Sequence, residues 1–173
     1  WSSDVCSSDL HTLIDIVSKN GNLLLNISPT ADGVIPDEQR ESLLGMGVWL
    51  RANGEAIYGS KPFSIYGEGP KRLTSSGHFV EMSGDYTSEN IRFTQKENCV
   101  FAIQLGWAGA NQRIAIKSLG RKLGGHLQIK NVTVLDSPEE IDWLVEDDAL
   151  YVTTPAVAPN NIAICYKVEL AEQ

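Results

Sequence analysis

Acid–base and nucleophilic chemistry requires carboxyls, imidazoles or thiols held within reach of one another. This chain offers such groups mostly singly. His78 and His126 stand far apart and lack the spacing of a metal pair such as H-E-x-x-H, and Cys99 and Cys165 form no CxxC, so no metal centre is expected. Among the acids Asp32 draws attention, because it follows the apolar run Leu23-Leu24-Leu25 on a loop, where a buried strand would deliver it to a pocket. Asp32 is also followed by Gly33, a pair that suits a tight turn, and the turn is the preferred reading. Polar side chains bracket the same run. Asn22 and Asn26, four apart, point the same way along a strand, and Ser28 follows them. Asn26 and Ser28 are the candidates for lining a ligand pocket. The plainer role is an amide that satisfies backbone groups, preferred for Asn22 and evenly balanced for Asn26.

The elements that position these residues can be read from the pattern around them. Asn22 to Ile27 puts Leu23, Leu24 and Leu25 in one unbroken apolar run, as in a parallel strand covered on both faces. Ser28, Pro29, Asp32 and Gly33 end it, and Pro36-Asp37-Glu38 starts a helix on which Leu43, Met46, Gly47 and Leu50 recur at helical spacing. Asn53-Gly54 supplies a left-handed stop. Upstream, His11 to Asn20 reads as a short helix ended by Gly21. Helix, strand, helix is the closing part of a repeating β/α unit.

From Ser60 to Pro70 the prolines and glycines predict an extended linker and a domain boundary, with one or two irregular edge strands over 72–86. Beyond that the period is two. Ile91 and Phe93 alternate with Arg92 and Thr94, and Cys99, Phe101, Ile103 and Leu105 form the next inward face, followed by Ile114 and Ile116. Val132 and Val134 are out of phase with Leu127 and Ile129, which predicts a bulge near Lys130-Asn131. Glu146-Asp147-Asp148 reads as a hairpin loop into Leu150 and Val152, and Ile162, Ile164, Tyr166, Val168 and Leu170 share one face of the last strand. The expected fold class is therefore α/β plus all-β, the second part an antiparallel β-sandwich.

The words of the sequence match as well as its pattern. Asn22 through Asn26, Pro29, Gly33, Trp49 and Asn53 through Tyr58 form the phrase N-LLLN-x-x-P-x-x-D/G-G, a helix, then N-G-E-A-I-Y. The phrase resembles the end of the catalytic barrel in the α-L-fucosidases of glycoside hydrolase family 29. The resemblance is specific over Leu13 to Pro62 and continues more weakly to Leu170. It implies the last strand and helices of a truncated TIM barrel over 11–60, a linker over 61–70 and a β-sandwich over 71–173. It also implies a parent enzyme that removes terminal L-fucose from glycans by a retaining double displacement, with no cofactor. In that family the nucleophilic aspartate and the acid/base glutamate lie upstream of the matching segment, so no residue of this chain is expected to be catalytic. The rival reading is a non-catalytic carbohydrate-binding or structural β-sandwich.

Length and composition agree with an incomplete barrel. The chain has 173 residues, whereas a TIM barrel alone takes about 250. Trp1 to Leu10, WSSDVCSSDL, is the translation of a common sequencing-adapter string and is expected to be an assembly artefact, with natural sequence starting near His11. Setting aside Asp4 and Asp9 leaves 20 acids against 14 bases, a net -6 with no basic cluster. Neither nucleic acid nor an anionic membrane is an expected partner, and no segment reaches the ~18 apolar residues of a membrane span. The partner implied by the resemblance is a fucosylated glycan, and the parent implied is periplasmic or secreted; the sequence leaves oligomeric state open. Cys99 and Cys165 read as small buried thiols in preference to a disulfide. Trp49 and Trp143 read as packing residues, against barrel neighbours and in the sandwich core respectively. Trp107, where a strand ends, reads first as a loop anchor and second as a lectin-like platform.

Overall fold

The computed structural model describes residues 3–70, 86–125 and 127–171. Two helices come first, α1 at Ser3–Ser18 and α2 at Asp37–Asn53, the second followed by a single 3-10 turn at Gly54–Ala56. Among the described residues eight strands follow: β1 Lys61–Glu68, β2 Ile91–Lys96, β3 Cys99–Gln104, β4 Arg113–Ile116, β5 Ile129–Val134, β6 Trp143–Val145, β7 Leu150–Thr153 and β8 Ile164–Leu170. They form a five-stranded sheet in the order β1-β2-β3-β8-β5 and a three-stranded sheet in the order β4-β7-β6, with every pairing antiparallel.

The helix ends follow local chemistry. α1 closes in a Schellman cap: the Gly21 amide donates to the Ile16 carbonyl at 2.9 Å, the Asn20 amide to that of Val17 at 3.0 Å, and Asn20 takes the left-handed conformation at φ 66°. α2 starts directly after Pro36, with Asp37 and Glu38 in its first turn, where the helix dipole favours acids. The left-handed stop expected at Asn53-Gly54 is absent. Gly54 is right-handed at φ -61° and continues into the 3-10 turn, and its missing side chain makes room for the Tyr58 ring, which a Cβ would meet at 2.7 Å.

Three layers result. The inner faces of the two sheets enclose one core, in which Ile91, Phe93, Val100, Ala102, Ile164, Tyr166 and Val168 of the larger sheet meet Ile116, Leu150 and Val152 of the smaller. The helices cover the other face of the larger sheet, where Leu10, Ile14, Met46 and Trp49 pack against Phe101, Ile103, Leu105 and Cys165. The Trp49 indole donates to the Ala163 carbonyl at 2.8 Å, and Thr94 Oγ1 donates to the Ala56 carbonyl at 2.7 Å, fastening the layer at two points.

Several expectations need correction. The inner face assigned to Phe101, Ile103 and Leu105 is turned toward the helices, while Val100 and Ala102 face the sandwich core. Arg92 and Thr94 are buried, not solvated, because the helical layer lies over them. Trp49 packs on the sheet through that same layer. The stretch 61–70 is mainly the paired edge strand β1, whose Lys61 and Pro62 align with Gln95 and Thr94 of β2. Most notably, Asn22–Ile27 forms no strand and is largely exposed, with Leu24 at 86%. A strand buried on both faces needs a hydrogen-bonded neighbour on each side, and these residues have none among the described residues.

Other expectations match the structure. The pairing of β5 with β8 shifts register between Ile129 and Asn131, residues 146–149 join β6 to β7, and Trp143 packs against the sandwich core. Cys99 and Cys165 are free thiols; Cys165 is buried as expected, and burial pushes its thiol far up, whereas Cys99 is only half-buried. The edge strands expected over 72–86 fall almost wholly outside the described residues.

Candidate functional site

The segment from Asn22 to Val34 carries the sequence-derived candidates. It runs from the cap of α1 to the start of α2 as an exposed, irregular loop. Its tether is the Ser28 amide, which donates to Gln39 Oε1 at 2.8 Å in the early turns of α2. Leu25 and Ile27 line a shallow cavity of about 120 Å³ with Asp9, Glu38, Gln39, Ser42 and Leu43. Asn26 and Ser28 are exposed and are not among the residues that line it. The structure therefore leaves both candidates outside the cavity that their neighbours line.

Asp32 sits where its sequence neighbour predicts. The Gly33 amide donates to the Thr30 carbonyl and the Thr30 amide to the Val34 carbonyl, both at 2.9 Å, closing a turn around Ala31 and Asp32. Gly33 has φ 78°, the left-handed conformation that favours glycine, and the backbone angle alone is the reason, because a Cβ there would meet nothing within 4 Å. The turn reading accounts for Asp32 without a chemical role. Asp9 borders the cavity with Glu38, and its Oδ2 accepts from Ser42 Oγ at 2.8 Å. Asp9 is engaged in seating α1 on α2, at the edge of the residues expected to be adapter-derived.

His78 and His126 lie outside the described residues. Among the described residues no three His, Cys, Asp or Glu side chains gather closely enough to hold a metal ion, and no helix is long and apolar enough to cross a membrane. Trp107 packs against the sandwich core, which favours the anchor over the exposed platform.

A buried polar assembly among the described residues is one that sequence reasoning missed. Asp15 on α1 accepts from Arg92 Nε of β2 at 2.6 Å and, through its other oxygen, from Lys19 Nζ at 2.6 Å. Both Asp15 and Arg92 are nearly inaccessible, at 3% and 2% side-chain exposure. The guanidinium also donates to the Ile91 carbonyl at 3.0 Å and lies near the rings of Tyr66 and Tyr86, 5.9 and 5.3 Å from their centroids. Tyr86 meets the His11 ring edge-on at 5.4 Å, and His11 Nε2 donates to the Ile162 carbonyl at 2.8 Å. Burial lowers the His11 pKa and raises that of the Tyr86 hydroxyl. The sequence signal was faint: Asp15 and Lys19 one helical turn apart, and an arginine between Ile91 and Phe93.

Two helices seated on an antiparallel sandwich, joined to it by a buried ion pair, define a two-part protein, and comparison with known proteins finds both parts. Residues 6–55 match the family model described as alpha-L-fucosidase, and residues 84–170 match the alpha-L-fucosidase C-terminal domain. The tissue alpha-L-fucosidase of Homo sapiens is 32% identical over 160 residues, which cover 90% of this chain and 29% of that protein. Among solved structures, the alpha-fucosidase of Thermotoga maritima in complex with a mechanism-based inhibitor superposes with a TM-score of 0.72 at 32% identity, over 95% of this chain and 34% of that one. Alpha-L-fucosidase isoenzyme 1 of Paenibacillus thiaminolyticus gives a TM-score of 0.70 at 28% identity, over 96% and 35%. This chain belongs to the α-L-fucosidase family, and it spans about a third or less of the length of these relatives.

Proposed function

We propose that these residues are the C-terminal part of a retaining exo-α-L-fucosidase, with 11–60 closing its catalytic barrel and the strands from Lys61 onward forming the attached sandwich. The observation that carries this reading is the run Leu23-Leu24-Leu25, with Leu24 and Leu25 exposed, between two helices that are otherwise well seated. Such a run suits the last strand of a parallel barrel, whose hydrogen-bonding and packing partners come from preceding strands. Val48 and Leu44, exposed on the outer side of α2, suit a neighbouring barrel helix in the same way. Residues 1–10 are proposed to be adapter-derived, although α1 runs through residues 3–10 without a break.

In the complete enzyme an aspartate would attack the anomeric carbon while a glutamate protonates the departing oxygen, and water would then release fucose, with no cofactor. That chemistry needs two carboxyls roughly 5 to 5.5 Å apart, supplied here by chain outside the 173 residues. The contribution of this chain is to close the barrel and to present Asn26 and Ser28 at the mouth where substrate enters. As a second reading, a free-standing glycan-binding sandwich is less well supported, since Trp107 and Trp143 both pack against its core.

The test is a pair of assays on an aryl α-L-fucoside. The purified 173-residue chain shows no turnover, whereas the full reading frame does; turnover by the chain alone overturns the assignment of the carboxylates. In the full enzyme, Asn26→Ala lowers kcat/KM by about tenfold or more, roughly one lost hydrogen bond to a charged or reacting group, with little change in Tm. An unchanged rate removes Asn26 from the pocket.

A further inference from the structure

The seam between the helices and the larger sheet is mainly apolar, and apolar attraction has no preferred direction. Leu10, Ile14, Met46 and Trp49 could bury similar area against Phe101, Ile103 and Leu105 with α1 advanced or withdrawn along its axis. Besides the hydrogen bonds of His11, Trp49 and Thr94 to backbone carbonyls, the seam holds a charged contact of strict geometry. Asp15 offers its two oxygens to two cations, Lys19 just past the end of its own helix and Arg92 on β2.

Arg92 is held in place independently of Asp15. Its Nη1 donates to the Ile91 carbonyl, and Tyr66 and Tyr86 lie beside the guanidinium. Gly67 of β1 keeps the space open, since a Cβ there would meet Arg92 Cδ at 2.8 Å and the Ile91 carbonyl oxygen at 2.6 Å. The arginine is thus a fixed donor set into the sheet, and α1 fits it in one position. Moving α1 by a single turn, about 5.4 Å, would leave the buried Arg92 guanidinium without its carboxylate and Asp15 with Lys19 alone.

We infer that the Asp15–Arg92 pair is a register latch: it fixes α1 on the sandwich and thereby sets where the Asn22–Ser28 segment leaves the cap of that helix. A buried ion pair adds little stability over apolar side chains of similar size, so its function lies in selecting one arrangement. This goes beyond the hydrolytic reading, because it gives the sandwich the task of positioning the segment that carries Asn26 and Ser28. Asp15 and Arg92 are positioning residues.

The test separates register from stability by hydrogen exchange and thermal unfolding of the 173-residue chain. Asp15→Leu alone strands the buried Arg92 guanidinium and lowers Tm by about 10 °C, and Arg92→Met, which leaves Asp15 with Lys19 alone, lowers it by less. The double variant Asp15→Leu/Arg92→Met returns Tm to within a few degrees of the parent. In that double variant, amide exchange over 12–22 rises at least tenfold while β3 and β8 stay protected. Parent-like exchange over 12–22 in the double variant overturns the latch, and so does a double variant as unstable as Asp15→Leu alone. Neither readout involves turnover, so failure here leaves the proposed hydrolysis untouched, and failure of that proposal leaves the latch untouched.

Discussion

His11 shows how burial turns one side chain into a pH-dependent term. Its imidazole is 8% exposed, donates to the Ile162 carbonyl and lies near Arg92, so burial first and the guanidinium second hold its pKa below the ordinary 6.5; the bond to Ile162 opposes them. Tyr86 meets the ring edge-on, and Asp15 and Lys19 belong to the same cluster. The folded protein therefore binds fewer protons than the unfolded chain as pH falls through 6.5, and stability declines until pH passes below the folded value, where the loss levels off. His11→Gln keeps a donor for Ile162 and removes this slope. The measurement is the urea midpoint at pH 7.5 and 5.5: the drop on acidification is smaller in the variant, and equal drops would show that His11 does not titrate in this window.

Among the elements, β3 and β8 do most to hold the three layers together. Each is buried on both faces, since alternate residues face the sandwich core and the helices. Phe101 is fully buried on the helix side of β3, opposite Lys167 of β8 in register and packed with Met46 and Trp49 in one cluster. Phe101→Ala is expected to cost about 3–5 kcal/mol in urea unfolding, the range for removing a large aromatic from a core. A cost below about 1 kcal/mol would mean that the helices are not seated on this face. The same double burial explains why Arg92 and Thr94, polar residues in period-two alternation, are inside. Alternation identifies two faces, and the layer that covers each decides which of them is wet.

For the molecule as a whole, the consequential feature is apolar surface left open. Leu24, Leu25, Ile27 and Val34 of the loop and Leu43, Leu44 and Val48 of α2 are all exposed, and Leu25, Ile27 and Leu43 line one cavity. A buried side chain of this kind contributes about 1.5–3 kcal/mol, so the chain on its own is expected to associate through these residues. Light scattering with size exclusion should show concentration-dependent oligomers of the parent chain, and Leu24→Asp/Val48→Glu should shift them toward monomer. A parent chain that remains monomeric at high concentration would argue that this surface is not sticky.

The residues themselves determined a good deal. Pro36 with two acids placed the start of α2, the phase break before Val132 placed the bulge in β5, and Asp32-Gly33 specified a tight turn, because these depend on neighbours a few positions away in the chain. The family phrase from Asn22 to Tyr58 pointed to the protein's kin. The tertiary structure decided everything that depends on what lies across a gap: that Arg92 is buried against Asp15, 77 positions distant, that Phe101 faces helices and not the second sheet, and that β1 occupies the expected linker. It also decided that Leu23-Leu24-Leu25, with the composition of a buried strand, stays an open loop here. A strand is a relation between segments, and hydrophobicity alone cannot supply the backbone partners that complete it.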